Sequence, residues 1–399
     1  MHDLIISGAS VVLPTGVLPE RNVLIRNGKI ADLNLPDKTR EGILSIDAKG
    51  MLLFAGFVDL HVHGGGGADF MDATPEAFET AVRAHLAHGT TLLYPTAMSA
   101  TERDLTAFLQ AFSAFRKTSL LASLTPGVHL EGPYFAGAGQ KSSGAQPTDV
   151  LRLPDLDEVK RLLAVADGAI LRWDAAPELE GAGSFAKYLT ERGVRVAVAH
   201  TDATAEECAN GYEHGFSHVT HFYNANSMHR KRDQKVYAGV VEATYLDDRV
   251  SVELIGDGCH IPREDILLAL KIKGCDKVSV ITDATRIAGT DLKQAKLGSL
   301  TNGRDVIVED GVAKLPDRSS FAGSIATMDR CLCVLCRDYG ISPELATVML
   351  SLAPAKYMGA DATKGSIEIG KDADLLLVDS EWRVRKVILG GKPLSAEAL

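Results

Sequence analysis

The sequence contains few cysteines, no long hydrophobic run and no excess of positive charge, and each of these absences excludes a class of protein. Six cysteines in 399 residues are too few for a disulfide scaffold. No run of about 18 apolar residues occurs, so the sequence predicts no transmembrane helix. The formal net charge of -10, without a long block of like charge, is atypical of proteins that bind nucleic acid or an anionic membrane surface. We therefore expect no nucleic-acid partner and no membrane partner.

The N-terminus lacks the features of an export signal. Met1, His2 and Asp3 do not form the basic start that precedes the apolar stretch of a secretory signal. We therefore expect the protein in the cytoplasm, where its cysteines stay reduced.

Three of the cysteines lie close together and raise the question of a metal site. Cys331, Cys333 and Cys336 form the pattern C-x-C-x-x-C. On the helix that residues 328–339 resemble, Cys331 and Cys333 point to different faces. We therefore interpret the three thiols as core-packing residues.

The composition is that of an ordinary globular protein, with 46% hydrophobic and 24% charged residues. A chain of 399 residues predicts a large domain with a smaller one, or two domains. Alternating apolar and polar residues at both ends of the chain, with turn signals at 26–29 and 390–392, predict antiparallel β-sheet. We expect residues 1–54 and 360–399 to form one small β domain, a β-sandwich.

Short apolar runs alternate with amphipathic helical patterns between the two ends. The predicted helices include 74–88, 101–117 and 264–274. The predicted strands are 56–62, 90–95, 127–131, 170–175, 194–200, 218–221, 250–255 and 278–283. Eight such βα units in about 250 residues favour an α/β fold, a TIM-like (β/α)8 barrel over residues 55–359, with a doubly wound open sheet as the alternative.

Polar side chains suited to chemistry stand at the ends of these predicted strands. They are His61, His63, Glu131, His200, His221, His260 and Asp283. The C-terminal ends of barrel strands share one face, where barrel enzymes build their active sites. Side chains that are distant in sequence are therefore expected to converge.

Each of these residues has an ordinary structural explanation when it is considered alone. His61 and His63 lie on one face of a strand and can reach a single ion, although a pair of structural histidines would look the same. His200 and His221 could be buried core histidines, and a carboxylate such as Asp283 could cap the next helix. Glu131 precedes a Gly-Pro pair, where a charge needs a partner. Their joint occurrence at successive strand ends favours a metal site.

A metal in this setting lowers the pKa of bound water from 15.7 to about 7 and polarises a carbonyl group, so hydrolysis is the expected reaction. Asp283 would accept a proton and return it to a leaving nitrogen. Histidine and carboxylate ligands suit zinc or ferrous iron better than magnesium.

Four glycines at 64–67 follow the histidine pair. The run predicts a sharp turn beside the metal and substrate, where a Cβ would intrude. A nucleotide-binding loop is the alternative, but the spacing G-x-G-x-x-G is missing.

These features resemble the amidohydrolase superfamily and, within it, the deacetylases of phosphorylated amino sugars. The matching stretches extend over nearly the whole chain: GFVDLHVH at 56–63, HLEGP at 129–133, AHTDAT at 199–204, THFYNA at 220–225, DGCH at 257–260, ITDAT at 281–285, GS at 323–324 and KGSIEIGKDAD at 364–374. The resemblance implies hydrolysis of the N-acetyl group of N-acetylglucosamine 6-phosphate to glucosamine 6-phosphate and acetate. It also implies a homodimer with one or two divalent ions per chain, zinc or iron.

The resemblance also implies roles for individual residues. Glu131, His200 and His221 would hold the principal metal, and Asp283 would be the general acid and base. His61 and His63 would hold a second metal, bridged by Glu131. The residues expected to bind substrate are Ala145, Gln146, Asn224, Ala225, Arg232, His260 and Phe321. Arg232 sits where the family has a phosphate-binding arginine that reaches into the neighbouring subunit.

The sequence departs from the family pattern at three places. Residues 226–239 are strongly basic, so Arg230, Lys231 or Lys235 could bind the phosphate in place of Arg232. Gln146 replaces a histidine that donates to the substrate carbonyl, and an amide can also donate. The third departure is the WDAAPE stretch at 173–178.

Three other hypotheses remain open. The substrate could be another N-acyl amino sugar, such as N-acetylgalactosamine 6-phosphate. Cyclic-amide or phosphonate-ester hydrolysis would fit the scaffold, but no lysine ends a strand here. A non-catalytic metal-binding or sugar-binding barrel is less favoured, because Asp283 and all the ligands are present.

Overall fold

The computed structural model describes residues 3–36, 42–137, 143–232 and 234–395, except for the side chain of Arg232. Its strands are β1 (Leu4–Leu13), β2 (Gly16–Arg26), β3 (Lys29–Asp32), β4 (Leu44–Asp47), β5 (Leu52–Ala55), β6 (Phe57–Val62), β7 (Gly64–Gly65), β8 (Ala68–Asp69), β9 (Thr90–Ala97), β10 (Val128–Tyr134), β11 (Ile170–Ala175), β12 (Arg195–Val198), β13 (Phe216–Val219), β14 (Arg230–Arg232), β15 (Lys235–Tyr237), β16 (Ser251–Ile255), β17 (Val278–Ile281), β18 (Gln294–Leu297), β19 (Arg304–Glu309), β20 (Val312–Lys314), β21 (Leu375–Val378), β22 (Val384–Leu389) and β23 (Lys392–Pro393).

The helices alternate with strands through the middle of the chain. They are α1 (Pro75–Ala87), α2 (Glu102–Thr118), α3 (Leu156–Ala166), α4 (Ala182–Thr190), α5 (Ala205–Glu213), α6 (Val240–Leu246), α7 (Arg263–Lys273), α8 (Met328–Cys333), α9 (Pro343–Thr347) and α10 (Ala353–Met358). Helices α8 and α9 continue as π-helical turns over Val334–Asp338 and Val348–Leu352. Among the described residues, none of the helices is both long enough and apolar enough to span a membrane.

Eight parallel strands form a closed barrel. They pair in the order β6, β9, β10, β11, β12, β13, β16 and β17. The last strand returns to the first through the Val62–Ala284 bridge and through the Asp283 amide, which donates to the His61 carbonyl at 3.0 Å. The predicted (β/α)8 barrel is confirmed, and the observed strand ends differ from the predicted ones by three residues at most.

The first barrel helices begin where the sequence supplies caps, and they bury one aromatic face. Thr74 accepts a hydrogen bond from the amide of Ala77 ahead of α1, and Thr101 caps α2 in the same way. Such caps satisfy amides that lack a partner within the helix. Phe78 of α1 packs against three phenylalanines of α2, with ring centroids 5.4 to 5.7 Å apart. These contacts hold the two helices over the start of the barrel.

A second sheet is built from both ends of the chain. Its strands follow the order β23, β22, β21, β5, β1, β2 and β3, and β4 also pairs with β1. The pairing of β21 with β5 is antiparallel and joins the C-terminal part to the N-terminal part. The sheet has a hydrophobic core of its own, which includes Ile6, Val23 and Leu375. The fold is therefore α/β with a small β domain made from both chain ends. The exact boundaries, 1–54 with 360–399 and 55–359, stay a prediction.

The glycine run forms a tight hairpin. Gly64 and Gly65 pair with Ala68 and Asp69, and the two turn residues Gly66 and Gly67 have φ values of 63° and 94°. Two consecutive positive φ angles are typical of the hairpin turns that favour glycine. A Cβ on Gly64 would come within 2.3 Å of the carbonyl oxygen of Ala68. The glycines therefore permit a close approach between backbone segments.

Candidate metal centre

Six side chains from five strands of the barrel converge at the C-terminal ends of these strands. They are His61 and His63 at the end of β6, Glu131 within β10, His200 after β12, His221 after β13 and Asp283 after β17. All six are buried. Barrel closure places the first and last of these strands side by side, so residues more than 200 positions apart in sequence become neighbours.

One carboxylate oxygen and two imidazoles form the first group of ligand atoms. Oε1 of Glu131 lies 2.9 Å from Nε2 of His200 and 3.1 Å from Nε2 of His221. The two imidazole nitrogens are 3.2 Å apart. The three side chains can therefore offer one ligand atom each to a single ion.

The other oxygen of the same carboxylate faces the histidine pair. Oε2 of Glu131 lies 3.4 Å from Nε2 of His63 and 3.8 Å from Nε2 of His61, and these two nitrogens are 3.1 Å apart. These side chains form a second set that could hold an ion. Asp283 borders it, with Oδ1 3.3 Å from Nε2 of His63 and 3.5 Å from Nε2 of His61. Glu131 therefore faces both ligand sets.

The hydrogen bonds on the far side of two rings show that these donors fit a cation. Nδ1 of His221 lies 3.0 Å from the carbonyl oxygen of Asn224, which can only accept, so Nδ1 carries the hydrogen. Nδ1 of His61 lies 3.0 Å from Oε1 of Glu253 and donates in the same way. In the neutral rings both Nε2 lone pairs then point at carboxylate oxygens and at other imidazoles. These atoms would hold a cation, which would remove the repulsion between the lone pairs.

The charges of the site lead to the same conclusion. Burial opposes the charged form of His61, yet the carboxylates of Glu131 and Asp283 outweigh burial and raise its pKa well above the usual value. Burial would raise the pKa of the Glu131 carboxyl, but the surrounding histidines, His61 foremost, lower it well below its usual range. The pKa of Asp283 is also lowered, because His61 and His63 outweigh its burial. The site therefore favours ionised carboxylates with positive charge between them.

Three of the six residues have left-handed backbone conformations. The φ angles are 45° at His200, 30° at His221 and 48° at Asp283. Such conformations cost on the order of 1–3 kcal/mol each and are concentrated at functional sites. Here they occur just beyond the strand ends, where the chain must turn the side chain toward the centre.

A cavity opens directly above the six side chains. Its lining includes five of them and, of the predicted substrate-binding residues, Ala145, Gln146, Asn224, Ala225, His260 and Phe321. Nδ1 of His260 lies 2.8 Å from Oδ2 of Asp257, which leaves Nε2 for a ligand. Nδ2 of Asn224 is buried without a hydrogen-bond partner in the described part of the chain. The cavity therefore brings together the predicted polar groups, while their binding roles stay predictions.

The amide of Gln146 is fixed by two contacts. Its Oε1 accepts a hydrogen bond from the backbone amide of Ser99 at 3.0 Å, so its Nε2 faces Oε2 of Glu131 at 2.8 Å. Arg304 holds the same loop by donating to the carbonyl oxygens of Ala145 and Gln146. One of the two amide hydrogens of Gln146 is therefore directed at Glu131. The role of Gln146 toward a substrate carbonyl stays a prediction.

The basic segment forms a small hairpin from β14 and β15. Arg232, the predicted phosphate ligand, has a side chain outside the described part of the structure. Arg230 donates to the carbonyl oxygen of Asp202 and lies 3.6 Å from its carboxylate. Lys231 and Lys235 are exposed. The choice among these cations therefore stays open.

A charged layer beneath the six side chains was not predicted from the sequence. It consists of His129, Arg172, Asp174, His218 and Glu253, and all five are fully buried. Arg172 and Glu253 lie within otherwise apolar barrel strands, ILRWDA and SVELI. A charge within an apolar run is the sequence signal of this layer, but the signal shows neither that the charge is buried nor which residue it pairs with.

Comparisons with known proteins agree with this geometry. The profile described as the amidohydrolase family matches residues 52–394. The N-acetylglucosamine-6-phosphate deacetylase of Lysinibacillus sphaericus is 31% identical over 391 residues, which cover 98% of this chain and 97% of the relative. The N-acetylgalactosamine-6-phosphate deacetylase of Escherichia coli O157:H7 is 28% identical, with coverage of 95% and 99%.

Two solved structures have the same fold over nearly their whole length. One is N-acetylglucosamine-6-phosphate deacetylase from Pasteurella multocida, with a TM-score of 0.90, 27% identity and coverage of 98% of this chain and 100% of that chain. The other is a mutant N-acetyl-D-glucosamine-6-phosphate deacetylase from Mycobacterium smegmatis in complex with N-acetyl-D-glucosamine-6-phosphate, with a TM-score of 0.88, 28% identity and 98% coverage of both chains.

Proposed function

Because the chain belongs to the amidohydrolase family, we propose that it hydrolyses the N-acetyl group of N-acetylglucosamine 6-phosphate. The products are acetate and glucosamine 6-phosphate, and the reaction belongs to amino-sugar catabolism. Relatives and solved structures with this activity in their names match nearly the full length of the chain.

The observation that supports this function most directly is the position of Asp283. Its carboxylate shares one buried cluster with two histidine pairs and Glu131, and it lines the cavity that opens to the substrate. A non-catalytic sugar-binding barrel would have no need for an ionised carboxylate at this position.

The residues of the site have distinct roles in the reaction. Glu131, His200 and His221 would hold a divalent cation, which would supply a water molecule of lowered pKa and a Lewis acid for the acetamide carbonyl. Asp283 accepts the proton of the attacking water and then donates it to the amide nitrogen, which leaves as the free amine. The pKa of the Asp283 carboxyl is lowered by His61 and His63, so the group is ionised at neutral pH, as a proton acceptor must be. The walls of the cavity, including Phe321 and His260, hold the sugar against this carboxylate.

The family is metal-dependent, and the donor set supports zinc as the ion, with iron as the alternative. Four imidazole nitrogens and one carboxylate suit either metal better than magnesium. Glu131, His200 and His221 would hold the principal ion. His61 and His63 would hold a second ion, with Glu131 as the bridge, so each chain would bind one or two ions.

The sugar could also be the galactosamine isomer. A relative whose name gives N-acetylgalactosamine 6-phosphate as its substrate matches this chain over nearly its full length. Asn224, Ala225 and His260 line the cavity and are proposed to contact the sugar, together with Ala145, Gln146 and Phe321. Arg232 or a neighbouring cation of the 230–235 segment is proposed to bind the 6-phosphate.

We also propose a homodimer in the cytoplasm. The basic hairpin β14–β15 supports the dimer, because its exposed cations could bind the phosphate of a substrate held in the second subunit. The proposed substrate supports the cytoplasmic location, because phosphorylated sugars are metabolised inside cells.

Acetate release from both phosphorylated sugars and from their unphosphorylated forms tests this function. We expect the metal-loaded protein to prefer N-acetylglucosamine 6-phosphate. A higher kcat/KM for the galactosamine isomer would establish the alternative, and no acetate release from any of the four compounds would refute both.

A further inference from the structure

Glu253 contacts both halves of the metal centre from below. Its Oε1 lies 3.0 Å from Nδ1 of His61, and it also accepts a long hydrogen bond, 3.3 Å, from the backbone amide of His221. The second oxygen, Oε2, lies 2.6 Å from Nη1 of Arg172 and 3.2 Å from Nε2 of His218. One fully buried carboxylate is therefore in contact with a predicted ligand from each set.

Arg172 joins this carboxylate to a second one. Its Nε lies 3.0 Å from Oδ1 of Asp174, and its Nη2 donates to Thr220 and Glu253 at 2.6 and 3.0 Å. Thr220 in turn donates to Asp174 at 2.6 Å. The guanidinium is bonded to both carboxylates at once, so a movement toward one of them would break its bonds to the other. This arrangement fixes the position of Glu253.

Stability alone does not explain this charged layer. The interior of a (β/α)8 barrel is usually packed with branched apolar side chains. Replacing a buried ion pair by apolar residues of similar volume is often neutral or stabilising, because the desolvation of the charges offsets their attraction. The layer lies directly beneath the ligand atoms, and this location indicates what it does.

The contact between Glu253 and His61 decides where the imidazole hydrogen sits. An ionised carboxylate can only accept, so Nδ1 of His61 donates, and the Nε2 lone pair is left free to face His63 and Glu131, the residues that would hold the second ion with it. In the described part of the chain, the polar neighbours of Nε2 of His61 are His63, Glu131 and Asp283, which all belong to the site itself, whereas Glu253 holds the ring from outside it. His221 differs, because the carbonyl oxygen of Asn224 fixes its ring at 3.0 Å without the help of Glu253.

We propose that Glu253, held in place by Arg172, is a positioning residue that prepares His61 as a ligand of the second metal position. Loss of the Glu253 carboxylate weakens the second position more than the first, because His221 keeps its own orienting bond. Removal of a group that orients a metal-binding histidine typically lowers metal affinity about 10- to 100-fold. The inference rests on the metal centre of the proposed function, and its test measures metal binding, not deacetylation.

The test is a titration of the metal-free protein with zinc ions, followed by calorimetry and by metal analysis after gel filtration. We expect the wild type to bind two ions and Glu253→Gln to bind the first with an affinity near the wild type's. The second ion should bind about 10- to 100-fold more weakly. Glu158→Gln is the matched control, because it removes another buried glutamate that is paired with an arginine, Arg152, and it should bind both ions as the wild type does.

A double-mutant cycle with His61→Ala separates positioning from general destabilisation. If Glu253 acts through His61, Glu253→Gln should not weaken zinc binding further in the His61→Ala background. Equal weakening in both backgrounds, or two tightly bound ions in Glu253→Gln, would overturn the proposal. Should Glu253→Gln fail to fold, Arg172→Gln/Glu253→Gln removes one charge of each sign and is subject to the same criteria. A wild type that binds no zinc, iron or other divalent ion would instead refute the metal centre itself.

Discussion

Oδ1 of Asp283 lies 3.3 Å from Nε2 of His63, so the proposed proton carrier and a proposed metal ligand are in direct contact. The backbone of Asp283 is fixed on both sides, since its amide donates to the His61 carbonyl and its own carbonyl accepts from Ser324. The barrel seam therefore fixes the backbone from which this carboxylate reaches the histidines.

Asp283→Asn should abolish most of the activity while leaving the fold intact. The amide has nearly the same shape but cannot take up a proton, and loss of a general acid–base group typically lowers kcat about 10²- to 10⁴-fold. Acetate release at saturating substrate measures this. Metal analysis of the same sample is the control, because a variant without metal would be inactive for a different reason. Undiminished acetate release from the metal-loaded variant would contradict the proposed mechanism.

Metal affinity should fall as the pH is lowered. Burial opposes the charged forms of His61, His63 and His221, but the site carboxylates outweigh burial and raise all three pKa values. Protons therefore occupy these nitrogens in the metal-free protein up to a higher pH than usual, and a metal must displace them. Affinity should increase with pH by about tenfold per unit for each proton displaced.

Calorimetry of zinc binding at neutral pH, in two buffers with different ionisation enthalpies, measures the released protons directly. Identical heats in the two buffers would show that no proton is displaced. The His61→Ala variant should release fewer protons than the wild type, since one of the competing nitrogens is gone.

Gln146→Glu should make the metal-free protein less stable and increase its stabilisation by metal. The new side chain keeps the acceptor for the Ser99 amide. It also brings a second carboxylate oxygen to within about 3 Å of Oε2 of Glu131, at the position where the amide nitrogen of Gln146 now lies 2.8 Å away. Two such carboxylates cannot both stay ionised without a cation between them. Thermal unfolding with and without zinc measures the effect, because a ligand that binds only the folded state raises Tm. A zinc-induced rise in Tm no larger than that of the wild type would contradict this account of Gln146.

The barrel could be predicted from the sequence because its strands are short apolar runs between amphipathic helices. The candidate metal ligands could be predicted too, because each stands at a strand end, where side chains of a parallel barrel meet. The hairpin of β18 and β19, which pairs Gln294 with Ile307, was not predicted. Its alternation of apolar and polar residues is weak and is interrupted by polar turns.

Two other features depend on contacts that a single sequence does not show. Glu253 and Arg172 are charged residues in strands, and a charge in a strand ordinarily indicates a solvent-facing position. They are buried because they face each other across the barrel interior, 81 residues apart. The orientation of Gln146 is likewise decided by the Ser99 amide, 47 positions away. Long-range partners of this kind become evident only when the barrel is closed.

The ion pair between His88 and Asp329 should add stability only in a mildly acidic range. Nδ1 of His88, at the end of α1, lies 2.9 Å from Oδ2 of Asp329 in α8. The carboxylate raises the pKa of His88, and burial lowers it by a smaller amount. Burial would raise the pKa of Asp329, but His88 and other hydrogen bonds outweigh burial and lower it.

The signs of the two shifts define the pH range. A raised histidine pKa contributes stability that is complete below the ordinary histidine value and is lost as the pH rises through the raised value. A lowered carboxyl pKa contributes stability above the ordinary carboxyl value, and it is lost as the pH falls through the lowered value. The contribution of the pair is therefore largest at about pH 5.5 and absent at about pH 9.

His88→Gln tests this by removing the charge while keeping a hydrogen-bonding side chain. The side chain of His88 is 36% exposed, so solvent screening limits the difference to about 1 kcal/mol or less. Urea unfolding of both proteins at the two pH values gives four free energies of unfolding. Subtracting the variant's value from the wild type's at each pH removes the contribution of the metal-site histidines, because both proteins contain them. We expect the variant to be less stable than the wild type at about pH 5.5 and equal to it at about pH 9. A difference that is the same at both pH values would show that the contact is a packing interaction, since packing does not depend on the charge of His88.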